Sequence, residues 1–93
     1  MGFKPANIHH VKPPTKWTVS PNPATDHVIL AAGEGDIKNC IYHITDMTGK
    51  DVLSGSVTSL RQQIDIQNLA NGMYFINVYS GTLMTTVSKF VKD

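Results

Sequence analysis

The chain has 93 residues, of which 41% are hydrophobic and 16% are charged, and its formal net charge is +1. This length supports one domain, and the basic residues are too scattered to indicate a nucleic-acid-binding surface. No apolar run reaches the roughly 18 residues that a membrane helix requires, so we expect no membrane insertion. The single cysteine, Cys40, excludes an internal disulfide and a cysteine-based zinc site.

Residues 1–16 contain three prolines, two adjacent histidines and no sustained hydrophobic periodicity. This composition is typical of a linker, with extended character near Pro13 and Pro14. The initial Met1-Gly2 suggests that the chain is a piece of a longer protein. We therefore predict a linker over residues 1–16 and one domain over residues 17–93.

Beyond residue 16, short apolar segments alternate with turn residues. In chain order the predicted strands are WTV, HVILAA, NCIYHITD, DVLSG, QQIDIQNL, MYFINVYSG and TLMTTVSKFVK. β-Branched and aromatic residues concentrate in these segments, and no window has the period of an amphipathic helix. The sequence therefore predicts an all-β fold, a small immunoglobulin-like β-sandwich of about seven short antiparallel strands.

The turns between these strands have defined chemistry. Pro21 and Pro23 flank Asn22 and interrupt regular strand pairing after the first strand. We expect the carboxylate of Asp46 to cap the turn of a hairpin whose loop takes its positive φ from Gly49.

The period of two along each strand predicts the core. We expect the inward residues to be Val28, Leu30, Tyr42, Ile44, Ile64, Ile66, Tyr74, Ile76 and Val78. Met73, Phe75 and Tyr79 then face outward, where they either form a contact surface or are partly covered by neighbouring chain. In the last strand the pattern leaves two faces open, Leu83, Thr85 and Val87 or Met84, Thr86, Ser88 and Phe90.

The segment LANGMY predicts a specific corner. Leu69 is expected in the core, and Gly72 in a backbone conformation that a side chain would strain. The position of Tyr74 after the turn resembles the tyrosine corner of immunoglobulin-like sandwiches. We therefore predict a hydrogen bond from its hydroxyl to the backbone of residues 68–71.

Catalytic chemistry is poorly supported. His27 and His43 are expected to be solvent-facing strand residues, the acids are dispersed over turns and outer faces, and Cys40 is expected to be an inert core thiol. The sequence contains no nucleophile elbow, no phosphate-binding glycine loop and no metal-ligand spacing. We predict that the chain is not an enzyme and has no catalytic residue, no metal and no cofactor.

Four segments in order carry a family resemblance: PNPATDHVIL, ITDMTGKDVLSG, IDIQNLANGMYFINVYSG and the basic KFVKD. Together they closely resemble the type A C-terminal sorting domain of the type IX (Por) secretion system of Bacteroidota. The resemblance covers nearly the whole chain after Trp17.

This resemblance implies an immunoglobulin-like domain at the C-terminus of a secreted cargo protein. It implies that the domain directs the cargo from the periplasm through the outer-membrane translocon, and that a sortase removes it on attachment to the cell surface. The implied partners are the shuttle and sortase components and an N-terminal cargo domain. The implied location is secreted or cell-surface, and the linker lies where cleavage would fall.

The resemblance also assigns motif residues. They are Pro21, Asn22, Pro23, Asp46, Gly49, Lys50, Leu69, Gly72 and Tyr74, followed by the terminal Lys89 and Lys92. The candidate partner-binding residues are Lys89, Phe90, Val91, Lys92, Phe75 and Tyr79. Edge-strand lysines can also serve only to prevent aggregation. Deleting residues 89–93 is expected to abolish secretion and to leave the fold largely intact.

A second hypothesis is a non-catalytic carbohydrate- or protein-binding module of a surface enzyme, since small β-sandwiches often have that role. Such a module needs a platform of exposed aromatic side chains. The only candidates are Trp17, Phe75 and Tyr79, and Trp17 is expected to fill the core or an edge of the sandwich.

Overall fold

A computed structural model describes residues 14–93, and within them the chain forms seven β-strands. The strands are β1 (Trp17–Ser20), β2 (His27–Ala32), β3 (Cys40–Asp46), β4 (Asp51–Ser56), β5 (Arg61–Asp65), β6 (Gly72–Ser80) and β7 (Leu83–Lys92). The all-β prediction is confirmed. In this part of the chain no helix is long and apolar enough to cross a membrane. The linker predicted over residues 1–16 falls, up to position 13, outside the described residues.

The strands form two antiparallel sheets. One has three strands in the order β1-β2-β5, and the other has four in the order β4-β3-β6-β7. The edge strand β1 of the first sheet packs beside the edge strand β7 of the second. This arrangement is compatible with the predicted immunoglobulin-like sandwich.

The core lies between the two sheets and follows the predicted period of two. The buried residues include Val28, Leu30, Ile44, Ile64, Ile66, Tyr74, Ile76, Val78 and Phe90. Of the predicted inward residues, Tyr42 alone is half-buried, and Leu69 is half-buried against the same cluster. Cys40 is buried as expected, and burial raises the pKa of its thiol. Such a thiol stays protonated near neutral pH, so it has little nucleophilic character.

Strand β5 ends earlier than the sequence pattern indicates. It stops at Asp65, whose carboxylate accepts a hydrogen bond from the N–H of Gln67 at 2.9 Å. The N–H of Leu69 then bonds to the carbonyl of Ile66 at 3.0 Å. A local side-chain acceptor thus replaces strand pairing, although Ile66 keeps its predicted place in the core.

A β-bulge decides the orientation of β7. Val78 pairs with Thr86 but Tyr79 pairs with Met84, so Thr85 is the extra residue. The Thr85 hydroxyl donates a hydrogen bond to the carbonyl of Val78 at 3.1 Å. Because of this shift, neither of the two alternating faces considered from the sequence is continuous. Val87 and Met84 share the outer face of the sheet, whereas Phe90, Ser88 and Thr86 point inward.

Candidate functional site

The motif segments lie together at one end of the sandwich. Asp46 pairs with Tyr74, which pairs with Phe90, so β3, β6 and β7 reach this end side by side. In the other sheet His27 pairs with Asp65 at the same end. We call this region the motif end; it comprises the β1–β2 loop (21–26), the β3–β4 turn (47–50), the β5–β6 turn (66–71) and residues 89–93.

The β1–β2 loop covers the outer edge of β7. The side chain of Asn22 donates to the carbonyl of Lys89 at 3.4 Å and accepts from the N–H of Val91 at 3.0 Å. Ala24 then forms a parallel bridge, in which its N–H bonds to the Val91 carbonyl at 2.7 Å and its carbonyl accepts from the Asp93 N–H at 2.8 Å. A side chain and a short backbone segment therefore occupy pairing groups that would otherwise be an open strand edge.

The two prolines of this loop frame the asparagine. The Ser20–Pro21 and Asn22–Pro23 peptide bonds are both cis. Strand β1 ends at Ser20, as the prolines predicted, and both rings are exposed.

The turn between β3 and β4 is organised by one carboxylate. Oδ1 of Asp46 accepts hydrogen bonds from the N–H of Thr48 at 2.9 Å, from its hydroxyl at 2.6 Å and from the N–H of Lys50 at 3.1 Å. These bonds, first the Thr48 hydroxyl, hold the pKa of Asp46 below its ordinary value. Gly49 has the predicted positive φ, 89°. The hairpin prediction is confirmed, and Lys50 contributes its backbone while its side chain is exposed.

The tyrosine corner is present. The hydroxyl of Tyr74 donates a hydrogen bond to the carbonyl of Ala70 at 2.6 Å, within the predicted segment. Gly72 has φ 154°, which disfavours any residue with a side chain. The Tyr74 ring stacks on Phe90, with the ring centroids 5.7 Å apart. The corner therefore joins the β5–β6 turn to the last strand.

Lys92 closes the motif end from inside. Its side chain is buried, and its ammonium donates hydrogen bonds to the carbonyls of Gln67 at 3.1 Å and Leu69 at 2.5 Å. Lys89 is exposed on the opposite side of the strand. The two lysines are three positions apart, so they must face opposite ways in a strand. Their spacing in the sequence is thus the signal that distinguishes the two lysines, which the edge-strand expectation treats alike.

The tail is therefore part of the fold. Phe90 is fully buried and belongs to the core cluster. The expectation that deleting residues 89–93 leaves the fold largely intact is wrong, because that deletion removes this ring and the Lys92 anchor. Neither side chain, both candidates for partner binding, is presented on the surface of this structure.

The other partner-binding candidates lie on the outer face of the four-stranded sheet. Phe75 pairs with Lys89, and Met73 pairs with Val91, close to the motif end. The three apolar side chains are half-buried and Lys89 is exposed. Tyr79 shares this face but lies towards the opposite end of the sandwich. The outward orientation predicted for Met73, Phe75 and Tyr79 is confirmed, with partial cover at each.

Within the described residues there are two histidines, His27 and His43, and each lies beside one carboxylate. Nδ1 of His27 lies 2.7 Å from the carboxylate of Asp26, and the pKa of Asp26 is lowered chiefly by this hydrogen bond. Nδ1 of His43 lies 3.3 Å from Oδ2 of Asp51, but this nitrogen is buried and forms no hydrogen bond. Over residues 14–93, no three His, Cys, Asp or Glu side chains are grouped to hold a metal ion.

One known protein family matches most of the chain. The family described as "Secretion system C-terminal sorting domain" matches residues 18–93, a span that contains every motif residue of the motif end. No curated protein matches the chain. The family match supports a sorting signal for type IX secretion. Such a signal acts with the secretion machinery and a cargo protein. It implies export to the cell surface or secretion. The chain belongs to the family of C-terminal sorting domains of the type IX secretion system.

Proposed function

We propose that this domain directs a cargo protein, joined to its N-terminal side, through the outer-membrane translocon by engaging the shuttle component of the type IX system. The observation that supports this most is the convergence of the motif segments. The motif segments are far apart in sequence but form one end of the sandwich; they are residues 21–23, 46–50, 69–74 and 89–92. A single recognition surface at this end would explain why the four motif segments are found together in one domain.

The position of the cargo fits this function. Strand β1 begins at Trp17, which pairs with Ala32 at the end opposite the motif end, and runs towards the motif end. The chain preceding the domain therefore joins it at the far end from the motif segments. A machine can contact the motif end while the cargo stays clear of it.

Removal by a sortase is the second part of the proposal. The cut would fall ahead of β1, in the predicted linker, as the cargo is attached to the cell surface. The separation between the start of β1 and the motif end supports this, because one component can hold the motif end while another reaches the linker. The same separation leaves the folded domain intact as the released product.

The binding-module alternative loses one of its three aromatic residues. Trp17 is buried, and its indole N–H donates to the carbonyl of Pro14 at 3.0 Å. Phe75 and Tyr79 remain on the outer face, both half-buried. A glycan array would support the alternative only if binding depended on these two rings.

The test of export fuses the whole 93-residue chain to the C-terminus of a reporter that carries an export signal peptide. The fusion is expressed in a host with a type IX system and in the same host without the translocon. We expect reporter in the medium or on the surface only in the first host. Retention in the periplasm of both hosts contradicts the proposal, and the reporter without the chain is the control.

The sortase step has its own measurement. Mass spectrometry of the domain released from the secreting host should find a new N-terminus ahead of Trp17. In a sortase-deficient host the reporter should keep the domain. Release of an uncut fusion in the sortase-competent host argues against removal while leaving export untouched.

A further inference from the structure

We infer that the type IX machinery recognises the motif end as a folded surface assembled from several segments, and not residues 89–93 as a linear peptide. This inference rests on the proposed function and specifies what the partner contacts. The partner is then a protein that binds a preformed surface, not one that adds a strand to the tail or captures it in an extended groove.

The backbone of the tail is closed to a partner strand. On the outer edge of β7, the N–H and carbonyl of Val91 and the N–H of Asp93 are already bonded to Asn22 and Ala24. An extended peptide binds a partner through such edge groups. Here they are satisfied within the domain, so this mode first requires the β1–β2 loop to leave.

The side chains of the tail are mostly closed as well. Phe90 lies in the core and the ammonium of Lys92 is bonded to two carbonyls of the β5–β6 turn. Val91 is half-buried, and Lys89 and Asp93 are exposed. A linear peptide of this sequence would therefore present side chains that the folded domain does not present.

What the motif end does present comes from different segments. Asn22 is exposed in the first loop, Met47 and Lys50 in the hairpin turn, Asn71 in the β5–β6 turn and Lys89 on β7. Met47 is 70% exposed, a large value for an apolar side chain beside polar loops. This mixture fits a partner protein whose surface has an apolar recess for Met47, groups that bind the asparagine amides, and carboxylates for Lys50 and Lys89.

In this arrangement Phe90 and Lys92 are positioning residues. They hold the β5–β6 turn and the last strand together from inside, and Asn22 holds the first loop on the same strand from outside. Weakening any of these contacts should let the segments of the motif end move apart, even where residues 89–93 themselves are unchanged.

The deciding variant is Asn22→Ala in the full reporter fusion. It removes two hydrogen bonds to β7 but leaves the sequence of residues 89–93 unchanged. If the machinery recognises a linear peptide, the reporter fusion with the loosened tail is secreted at least as well as the fusion with the unmodified chain. If it recognises the folded end, secretion falls several-fold while hydrogen exchange at the Val91 amide becomes about tenfold faster.

The matched control is Gln62→Ala. The Gln62 amide accepts from the N–H of Thr58 at 2.7 Å and donates to the carbonyl of Ser56 at 3.0 Å, at the opposite end of the sandwich. The Gln62→Ala variant therefore loses a similar number of hydrogen bonds without changing the motif end, and we expect nearly normal secretion. An equal loss of secretion in both variants would mean that general stability is being measured, and would overturn the inference.

A second variant protects the test from a folding failure. Tyr74→Phe also leaves residues 89–93 unchanged and loosens the β5–β6 turn by removing the bond to Ala70. Full secretion of Asn22→Ala with faster exchange at Val91, or of Tyr74→Phe with faster exchange at the β5–β6 turn amides, would overturn the inference. Failure of the unmodified chain to secrete the reporter would instead contradict the proposed function, so the two outcomes are distinguishable.

Discussion

The ammonium of Lys92 lies 2.5 Å from the carbonyl oxygen of Leu69, 23 positions earlier in the chain. With the bond to Gln67 it ties the end of the last strand to the turn that begins β6. Hydrogen bonds from a charged donor to a carbonyl are stronger than bonds between neutral groups. The basic tail of this family thus includes, in this chain, a lysine that stabilises the fold.

Replacing this lysine should destabilise the domain. We expect Lys92→Met, which keeps most of the aliphatic stem, to lower the free energy of unfolding by about 2 kcal/mol because two carbonyls lose a charged donor. Urea denaturation monitored by tyrosine and tryptophan fluorescence measures this. Lys89→Met is the matched control on the same strand, and as an exposed change it should alter stability by less than about 0.5 kcal/mol. Equal effects of the two substitutions would contradict the assigned role of Lys92.

The tyrosine corner supplies a second prediction. Tyr74→Phe removes the hydroxyl bonded to Ala70 and keeps the ring that stacks on Phe90. We expect a loss of about 1 kcal/mol, the usual worth of one partly buried hydrogen bond. Chemical denaturation provides the value, and an unchanged midpoint would show that the bond contributes nothing. Exchange at the amides of the β5–β6 turn should rise at the same time.

The hairpin carboxylate predicts a pH dependence. The hydrogen bonds from Thr48 and Lys50 favour the ionised form, so the pKa of Asp46 is lower in the folded chain than its ordinary value of 3.8. The ionised group therefore stabilises the fold fully above that value, and the contribution is lost as the pH falls through the folded-state pKa.

The test compares the parent chain with Asp46→Asn, which keeps an acceptor oxygen but cannot ionise. We expect the parent to be more stable at pH 6, and the two stability curves to converge below pH 3.8. Urea unfolding at pH steps from neutral to acid measures both curves. A constant difference down to the lowest pH would show that the charge is unimportant.

A close contact explains one strand glycine. A Cβ placed on Gly55 would lie 2.8 Å from the hydroxyl oxygen of Tyr42, its cross-strand partner, and 3.0 Å from the ring. Gly55→Ala should therefore cost about 1 kcal/mol as the half-buried ring shifts away. In a Tyr42→Leu background the same substitution should be close to neutral. Denaturation of the four chains forms a double-mutant cycle, and an absent coupling would exclude this contact as the cause.

Much of this fold could be predicted because its information is local. Alternation along β2 and β6 identified Val28, Leu30, Ile76 and Val78 as core, and the turn chemistry of residues 46–49 identified the hairpin. The corner at Tyr74 was predictable for the same reason, since its partner is four positions away.

The remaining features depend on contacts between distant segments. The bulge at Thr85 changes which residues of β7 face inward, and no residue within that strand signals it. The role of Asn22 also escaped prediction, because its partners are 67 and 69 positions away. Lys92 was the one miss that the strand period could have corrected, given its odd spacing from Lys89.

The bond between Asn22 and Val91 has a consequence for biosynthesis. The first loop of the domain finds its partner only after the ribosome has made almost all of the domain, 69 residues later. A polypeptide that stops anywhere before β7 lacks both the pairing and the core ring of Phe90. If secretion requires the closed motif end, that requirement also selects for complete chains. A cargo protein whose synthesis stops before β7 would lack the closed end and would not be exported.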